Sequence, residues 1–440
     1  MLFGRVKPLD AILATAEKKS LTRTLGALQL TMLGIGAIIG TGIFVLTAAA
    51  ADKAGPAMMI SFIIAAIVCG LAALCYSELA AMVPVSGSAY TYSYATFGEI
   101  VAWIVGWALV LEYAIAASAV SVGWSGYMVS LVEEVFKTDI PNTFVKGPFD
   151  PVGVGETAGL INVPAMLIGL VCMALLIVGT KESARFNAVL VAIKVSALAL
   201  FLVLALPAVT SDNFAPFMPN GFFANEVLDP ITNNMVTVGV SAAAASIFFA
   251  YVGFDAVSTA AEETINPQRN IPIGLIGSLG ICTVIYLLVA AGAIGTIGAQ
   301  PGGALAQSDD ALAFVLREIG HGWAGDLVAV AAGLALPSVI LMMMFGQTRI
   351  FFVMARDGLL PDVFSRLHPR YGTPHIVTMC TGVFVAIFAA LFPVGKLADI
   401  SNSGTLFAFF TVALGVMILR RTDPSRHRPF RTPFVWLLCP

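Results

Sequence analysis

Stretches of about twenty apolar residues recur along this chain almost from end to end, and no other feature limits its fold so severely. A hydrocarbon core roughly 30 Å thick needs about 20 such residues for each helical crossing. Ten complete stretches cover 28–51, 57–83, 98–132, 163–180, 184–208, 236–261, 271–297, 323–354, 376–393 and 402–419. The sequence is 58% hydrophobic and 11% charged, whereas soluble domains carry about 25% charged residues. The expected class is therefore an all-α integral membrane protein. An eleventh apolar run begins near Phe434 and stops at Pro440, so the chain is expected to end inside an element.

Residues 1–27 lack the uncharged apolar core and small-residue cleavage site of a secretory signal, which predicts a retained cytoplasmic segment. With that end inside, only Lys53, Lys137, Lys146, Arg317 and Lys396 fall on the outside, and Lys194 lies within the fifth span. The other 17 of the 23 lysines and arginines face inward, which sets the orientation of a multi-pass protein of the inner membrane. The net charge of -3 carries no information about partners, and nothing points to nucleic acid. Six cysteines scattered singly imply neither a disulfide framework nor a metal cluster.

Two spans are poor continuous helices. The first contains Gly34, Gly36, Gly40 and Gly42 within nine residues, and each glycine in a helix interior costs about 1 kcal/mol relative to alanine. Close helix packing through small residues is the alternative use of such glycines. In the sixth span Gly253 stands beside the ionisable Asp255. Interrupted helices at matching places in two halves point to a transporter substrate site between inverted repeats. At each break, amides opening one half-helix and carbonyls closing the other lack intrahelical partners. Together they suit a zwitterion, the amides meeting its carboxylate and the carbonyls its ammonium.

The motifs GIGAIIGTGIF at 34–44, ELAAMVPVSGSAYTYSYATFGE at 78–99, GWALVLEY at 106–113, SARFNAVLVAIK at 183–194, FFAYVGFDAVSTAAEE at 248–263, NPQRNIPIG at 266–274, GQTRIFFVMARDGLLP at 346–361 and SNSGTLFAF at 401–409 make the family recognisable. Through them the sequence resembles the amino acid–polyamine–organocation superfamily, specifically bacterial members of the cationic amino acid transporter family. The resemblance implies a LeuT-like fold with discontinuous helices 1 and 6 and alternating access around a central site. Two inverted five-helix repeats, 28–208 and 236–419, would be followed by a basic segment, 420–440, opening a further transmembrane helix. Family members usually have twelve or more helices, and this chain offers ten and a fragment. By the same resemblance, Thr41 and Gly42 present amides to a substrate carboxylate, and the Ile38 carbonyl faces the amino group. Phe249, Ala250 and Val252 offer carbonyls to the ammonium. Phe249 either covers the substrate as well or is ordinary core. Gly36, Gly40, Gly253 and Asp255 support the breaks.

A charge at the bilayer centre costs at least about 2.5–3.5 kcal/mol, so ionisable residues within spans are functional candidates. Glu112 is read as part of the substrate environment or a proton carrier, against a structural role at a helix break. Asp255 is read as the cap of the second half-helix. Lys194 lies nine residues beyond Arg185, roughly 13 Å deeper at 1.5 Å per residue. It either couples transport to protons or permanently clamps helices 1, 5 and 8. Glu78, Glu262 and Glu263 read as solvated helix ends, with a gate to a loop arginine as the alternative. The tyrosines of 83–92 read as an interfacial tract, and Pro337 as a kink with Ser338 re-satisfying freed groups or lining the pocket.

The function expected is import of L-amino acids by proton symport, with small or neutral amino acids as substrates and no cofactor. Cationic substrates and amino-acid exchange are the alternatives within transporters. Channels and receptors form the alternative class, but no selectivity filter or dense ring of charges is visible. An enzyme is disfavoured because the four histidines are scattered without metal-ligand spacing.

Overall fold

A computed structural model describes residues 23, 25–85, 87–150, 158–178, 184–228 and 235–439, except for the side chains of 184–187 and 262. The expected first span is three pieces: α1 (Ala27–Ile38), α2 (Thr41–Phe44) and α3 (Leu46–Ala54). The Gln29 side chain accepts the Gly26 amide at 2.7 Å and so caps the start of α1. Gly55, at φ 62°, opens the short turn Gly55–Ala57 that reverses the chain into α4 (Met58–Met82). Next come α5 (Ser88–Thr96), α6 (Glu99–Phe136), α7 (Asn142–Val145), α8 (Val163–Val178) and α9 (Ala184–Ala205).

The second half opens with a ribbon absent from the all-helical expectation. Strands β1 (Asn225–Leu228) and β2 (Met235–Val238) pair antiparallel, with Asn225 opposite Val238. The β-branched run Val236-Thr237-Val238 favours this extended conformation, so the predicted span 236–261 becomes helical only at Val240. It continues as α10 (Val240–Ile247), a 3-10 turn Phe248–Tyr251 and α11 (Ala256–Thr259). The remaining helices are α12 (Pro267–Ile297), α13 (Ala311–Glu318), α14 (Gly322–Arg356), α15 (His375–Leu391), α16 (Val394–Thr422) and the short α17 (Val435–Leu438).

Among the described residues, seven helical stretches are long and apolar enough to cross a membrane, one of them running through the Gly55 turn. Three shorter apolar helices, α1, α8 and α15, accompany them. The 38-residue α6 packs against α14, α15 and α16, while α12 packs against α1 and α4. Pro337 sits inside α14, where it cannot donate to the Gly333 carbonyl four residues earlier. The Trp124 indole of α6 takes that carbonyl instead, at 2.9 Å. Ser338 donates to the Ala335 carbonyl at 2.6 Å, satisfying a backbone group within its own helix.

The sequence Tyr90-Thr91-Tyr92 is not an exposed interfacial tract. Both tyrosines are buried on α5, and the Tyr90 hydroxyl donates to Asp357 at 3.0 Å. Amphipathic tyrosines serve a membrane interface and a packed interior equally well, so local sequence could not separate the two.

Candidate substrate site at two helix breaks

Between α1 and α2 the backbone leaves helical geometry at Ile39, with ψ 99°, and resumes at Thr41. The opening amides of α2, those of Thr41 and Gly42, therefore lack intrahelical acceptors. The far end of α2 is fully tied: the Tyr127 hydroxyl donates to the Phe44 carbonyl at 2.8 Å and Thr47 to that of Ile43 at 2.7 Å. In the sixth span the break runs through Val252 and Gly253. Gly253 has φ 110°, a conformation that side chains rarely adopt, and a Cβ there would lie 2.9 Å from the Ala37 carbonyl oxygen.

The two breaks touch each other. A Cβ on Gly42 would overlap the Ala250 Cα and lie 2.5 Å from the Ala250 Cβ. Gly42 is needed for space, since it lies in helical conformation, whereas Gly253 is needed for both space and dihedral angle. Gly40 caps α2, where an added Cβ would meet Val339 of α14 at an ordinary 3.5 Å, and the Gly36 carbonyl accepts a hydrogen bond from Lys194.

Three of the four carbonyls expected to face an ammonium, those of Ile38, Phe249 and Ala250, have protein donors. A single hydroxyl, that of Tyr286 on α12, reaches the carbonyls of Ile38 at 2.9 Å and Ala250 at 3.1 Å. The Phe249 carbonyl accepts the Val252 amide at 3.2 Å, closing the 3-10 turn. Phe249 and Thr41 are both buried. The Thr41 hydroxyl has no hydrogen-bond partner among the described residues. It lies against α6, where a Cβ on Gly123 would sit 2.5 Å from the Thr41 methyl.

The ionisable residues separate into different roles. Lys194 is buried, and its Nζ donates to the Gly36 carbonyl at 2.9 Å, with α9 packed against both α1 and α14. Asp255 stands at the N-cap position of α11, but its side chain makes no capping bond. One carboxylate oxygen instead accepts the Tyr113 hydroxyl of α6 at 2.8 Å, a correction to the capping expectation.

Among the described residues, neither carboxylate oxygen of Glu112 meets the geometry of a hydrogen bond, although the residue is buried. Its backbone carbonyl accepts Ser401 at 3.1 Å, and Gly404 of α16 lets that helix close on it. Gly123, the contact of Thr41, lies eleven residues further along α6, about 16 Å at 1.5 Å per residue. Glu112 is thus displaced along α6 from the Thr41 break, toward the Tyr113–Asp255 pair. An aromatic cluster of Tyr76, Tyr92, Phe254 and Phe409 fills the interior beyond the second break.

Charged contacts join helices at both ends of the molecule. At the end holding Lys53, its Nζ donates to Ser246 of α10 at 2.6 Å, and Ser246 donates to Asp399 of α16 at 2.9 Å. At the arginine-rich end Glu263 lies 3.8 Å from Arg349. Glu78 is not a solvated helix end. It is buried, receives Arg420 through two nitrogens at 3.0 and 2.6 Å, accepts the Thr432 amide at 2.8 Å and lies 3.4 Å from Arg428. These partners come from the end of α16 and the segment after it, which folds back over α4. Glu262 has no described side chain.

Among the described residues, seven helical stretches long and apolar enough to cross a membrane, and two buried helix breaks that touch each other, define a multi-pass membrane protein. The chain matches the family model described as amino acid permease over residues 25–439. It is 44% identical to the branched-chain amino acid permease BcaP of Bacillus subtilis (strain 168), covering 99% of this chain and 89% of that protein. It is 43% identical to the methylthioribose transporter of the same organism, covering 98% and 88%. The cationic amino acid transporter 4 of Mus musculus is 36% identical over 95% of this chain and 62% of its own length. The chain belongs to the amino acid permease family of the amino acid–polyamine–organocation superfamily and is a permease, not an enzyme.

Proposed function

We propose that this permease imports neutral L-amino acids, branched-chain ones among them, by symport with protons across the inner membrane. Its N-terminus is cytoplasmic, and residues 28–208 and 236–419 form two inverted repeats of a LeuT-like fold that alternates access to a site at the breaks. The observation that most supports this reading is the backbone contact between Gly42 and Ala250. On this reading the opening amides of α2 stand beside the turn of the sixth span, and opposite ends of one zwitterion meet opposite partial charges. The Thr41 hydroxyl, without a partner among the described residues, adds a donor or acceptor on the α6 side of the same break.

Neutral substrates are favoured over cationic ones by the position of Glu112. A lysine or arginine side chain held at Thr41 needs a carboxylate nearby; Glu112 stands about 16 Å further along α6, and the Asp255 carboxylate is engaged by the Tyr113 hydroxyl. The relatives divide on substrate: one is named for branched-chain amino acids, one for methylthioribose, others for cationic amino acids. Uptake of labelled leucine by reconstituted protein should therefore be suppressed by unlabelled isoleucine or valine much more strongly than by arginine. Leucine methyl ester, which lacks the carboxylate, should compete at least tenfold more weakly than leucine. Stronger competition by arginine would reverse the substrate order, and full potency of the ester would remove the carboxylate from the amides of Thr41 and Gly42.

Lys194 is assigned the coupling role. Bound to the Gly36 carbonyl, its ammonium holds the first half of the broken helix in one state and releases it on losing its proton in another. Arginine keeps its charge at any accessible pH. In Lys194→Arg, leucine exchange across the membrane should persist while accumulation driven by a proton gradient disappears. Retained gradient-driven accumulation would pass the proton-carrying role to Glu112.

A further inference from the structure

We infer that Tyr286 is the positioning residue that sets the ammonium subsite, an assignment resting on the proposed binding of an amino acid at the breaks. The residue is fully buried, and its ring is held edge-on by Phe62 at 6.0 Å and tilted against Tyr251 at 5.4 Å. This packing fixes where its hydroxyl points. The hydroxyl meets two acceptors, the Ile38 carbonyl that ends the first half of one broken helix and the Ala250 carbonyl in the turn that ends the other. Both carbonyls lost their helical donors at the breaks, and among the described residues no other side chain donates to both oxygens.

A phenol has one proton to share between them, and each carbonyl has two lone pairs. Acceptor capacity therefore remains on both oxygens, which the shared hydroxyl holds close together. An ammonium brings three donors and can use that remaining capacity, whereas a hydroxyl in its place brings only one. Tyr286 thus does two things. It keeps the carbonyls together when the site is empty, and it leaves them in the geometry that distinguishes an amino acid from a 2-hydroxy acid with the same carboxylate and side chain.

The test compares inhibition constants of L-leucine and L-2-hydroxyisocaproate against labelled leucine uptake, using the full-length protein in proteoliposomes. Tyr286→Phe keeps the ring and removes the hydroxyl. It should reduce the preference for leucine over the hydroxy acid by about tenfold, the effect of about one well-placed hydrogen bond, and leave the hydroxy acid constant nearly unchanged. Incorporation of 4-aminophenylalanine at position 286 restores a donor at the ring tip and should restore the preference. Tyr90→Phe is the control: its buried hydroxyl donates at 3.0 Å to Asp357, just past the end of α14, so the preference should not change.

An unchanged leucine preference in Tyr286→Phe would overturn the assignment, as would equal weakening of both ligands, which marks a merely structural residue. If Tyr286→Phe fails to fold, the 4-aminophenylalanine protein decides: a preference equal to wild type supports the role, and a lost preference refutes it. Failure of the underlying reading is separately visible, because wild-type protein would then not prefer leucine over its hydroxy analogue.

Discussion

Gly42→Val is expected to abolish uptake, reducing it by about a hundredfold or more. Even one Cβ at this position overlaps the Ala250 Cα, and valine adds two methyl groups to that overlap. Inserting extra bulk into a packed interior typically costs about 1–3 kcal/mol when side chains can yield. Here the obstacle is backbone, so the two breaks must separate. Separation displaces the α2 amides from the sixth-span turn, and the Tyr286 hydroxyl can no longer serve both carbonyls. Gly42→Ala should be intermediate, and Gly40→Ala much milder, because a Cβ there meets Val339 at an ordinary 3.5 Å. Uptake and binding measured on the same preparations check this ordering. Full activity of Gly42→Val would mean that the breaks do not need to touch.

The second large effect is on stability. Glu78→Ala should destabilise the protein by about 3–5 kcal/mol, the usual result of removing one partner from a buried ion pair. Glu78 and Arg428 are almost inaccessible, at 1% and 3% side-chain exposure. Arg420 is 21% exposed and solvent can relieve part of its loss, so most of the penalty falls on Arg428 and the Thr432 amide. Glu78→Gln keeps an acceptor for that amide and should lose less. Thermal unfolding of the purified protein followed by intrinsic fluorescence reads both variants. A melting temperature within a degree of wild type for Glu78→Ala would show that the segment after α16 contributes little to the fold.

The membrane spans and both breaks were legible because their causes are local. Apolar length and glycine density act within one turn or one helix, and Gly34 to Gly42 and Gly253 announce themselves in isolation. The donors that complete the site were not legible. Tyr286 is 248 residues from Ile38 in sequence, and no nearby pattern separates its hydroxyl from any other buried tyrosine. A tyrosine in the middle of an apolar span needs a partner for its hydroxyl, which was the available signal. Tyr113 was missed for the same reason, and with it the diversion of Asp255 from capping.

Glu78 was misread because its position at a helix end normally means water. Its arginine partner is 342 residues away, so burial there depends on tertiary structure alone. The β1–β2 ribbon was missed because four-residue strands leave too short a pattern to outweigh the apolar run that follows.

Accumulation of labelled leucine by purified protein in proteoliposomes tests the proposed function most directly, with a proton gradient, a sodium gradient or no gradient imposed. The expected result is accumulation above equilibrium only with the proton gradient, acidic outside, and its collapse on adding a protonophore. Accumulation driven by sodium, or equilibration without accumulation under every condition, would contradict proton-coupled import.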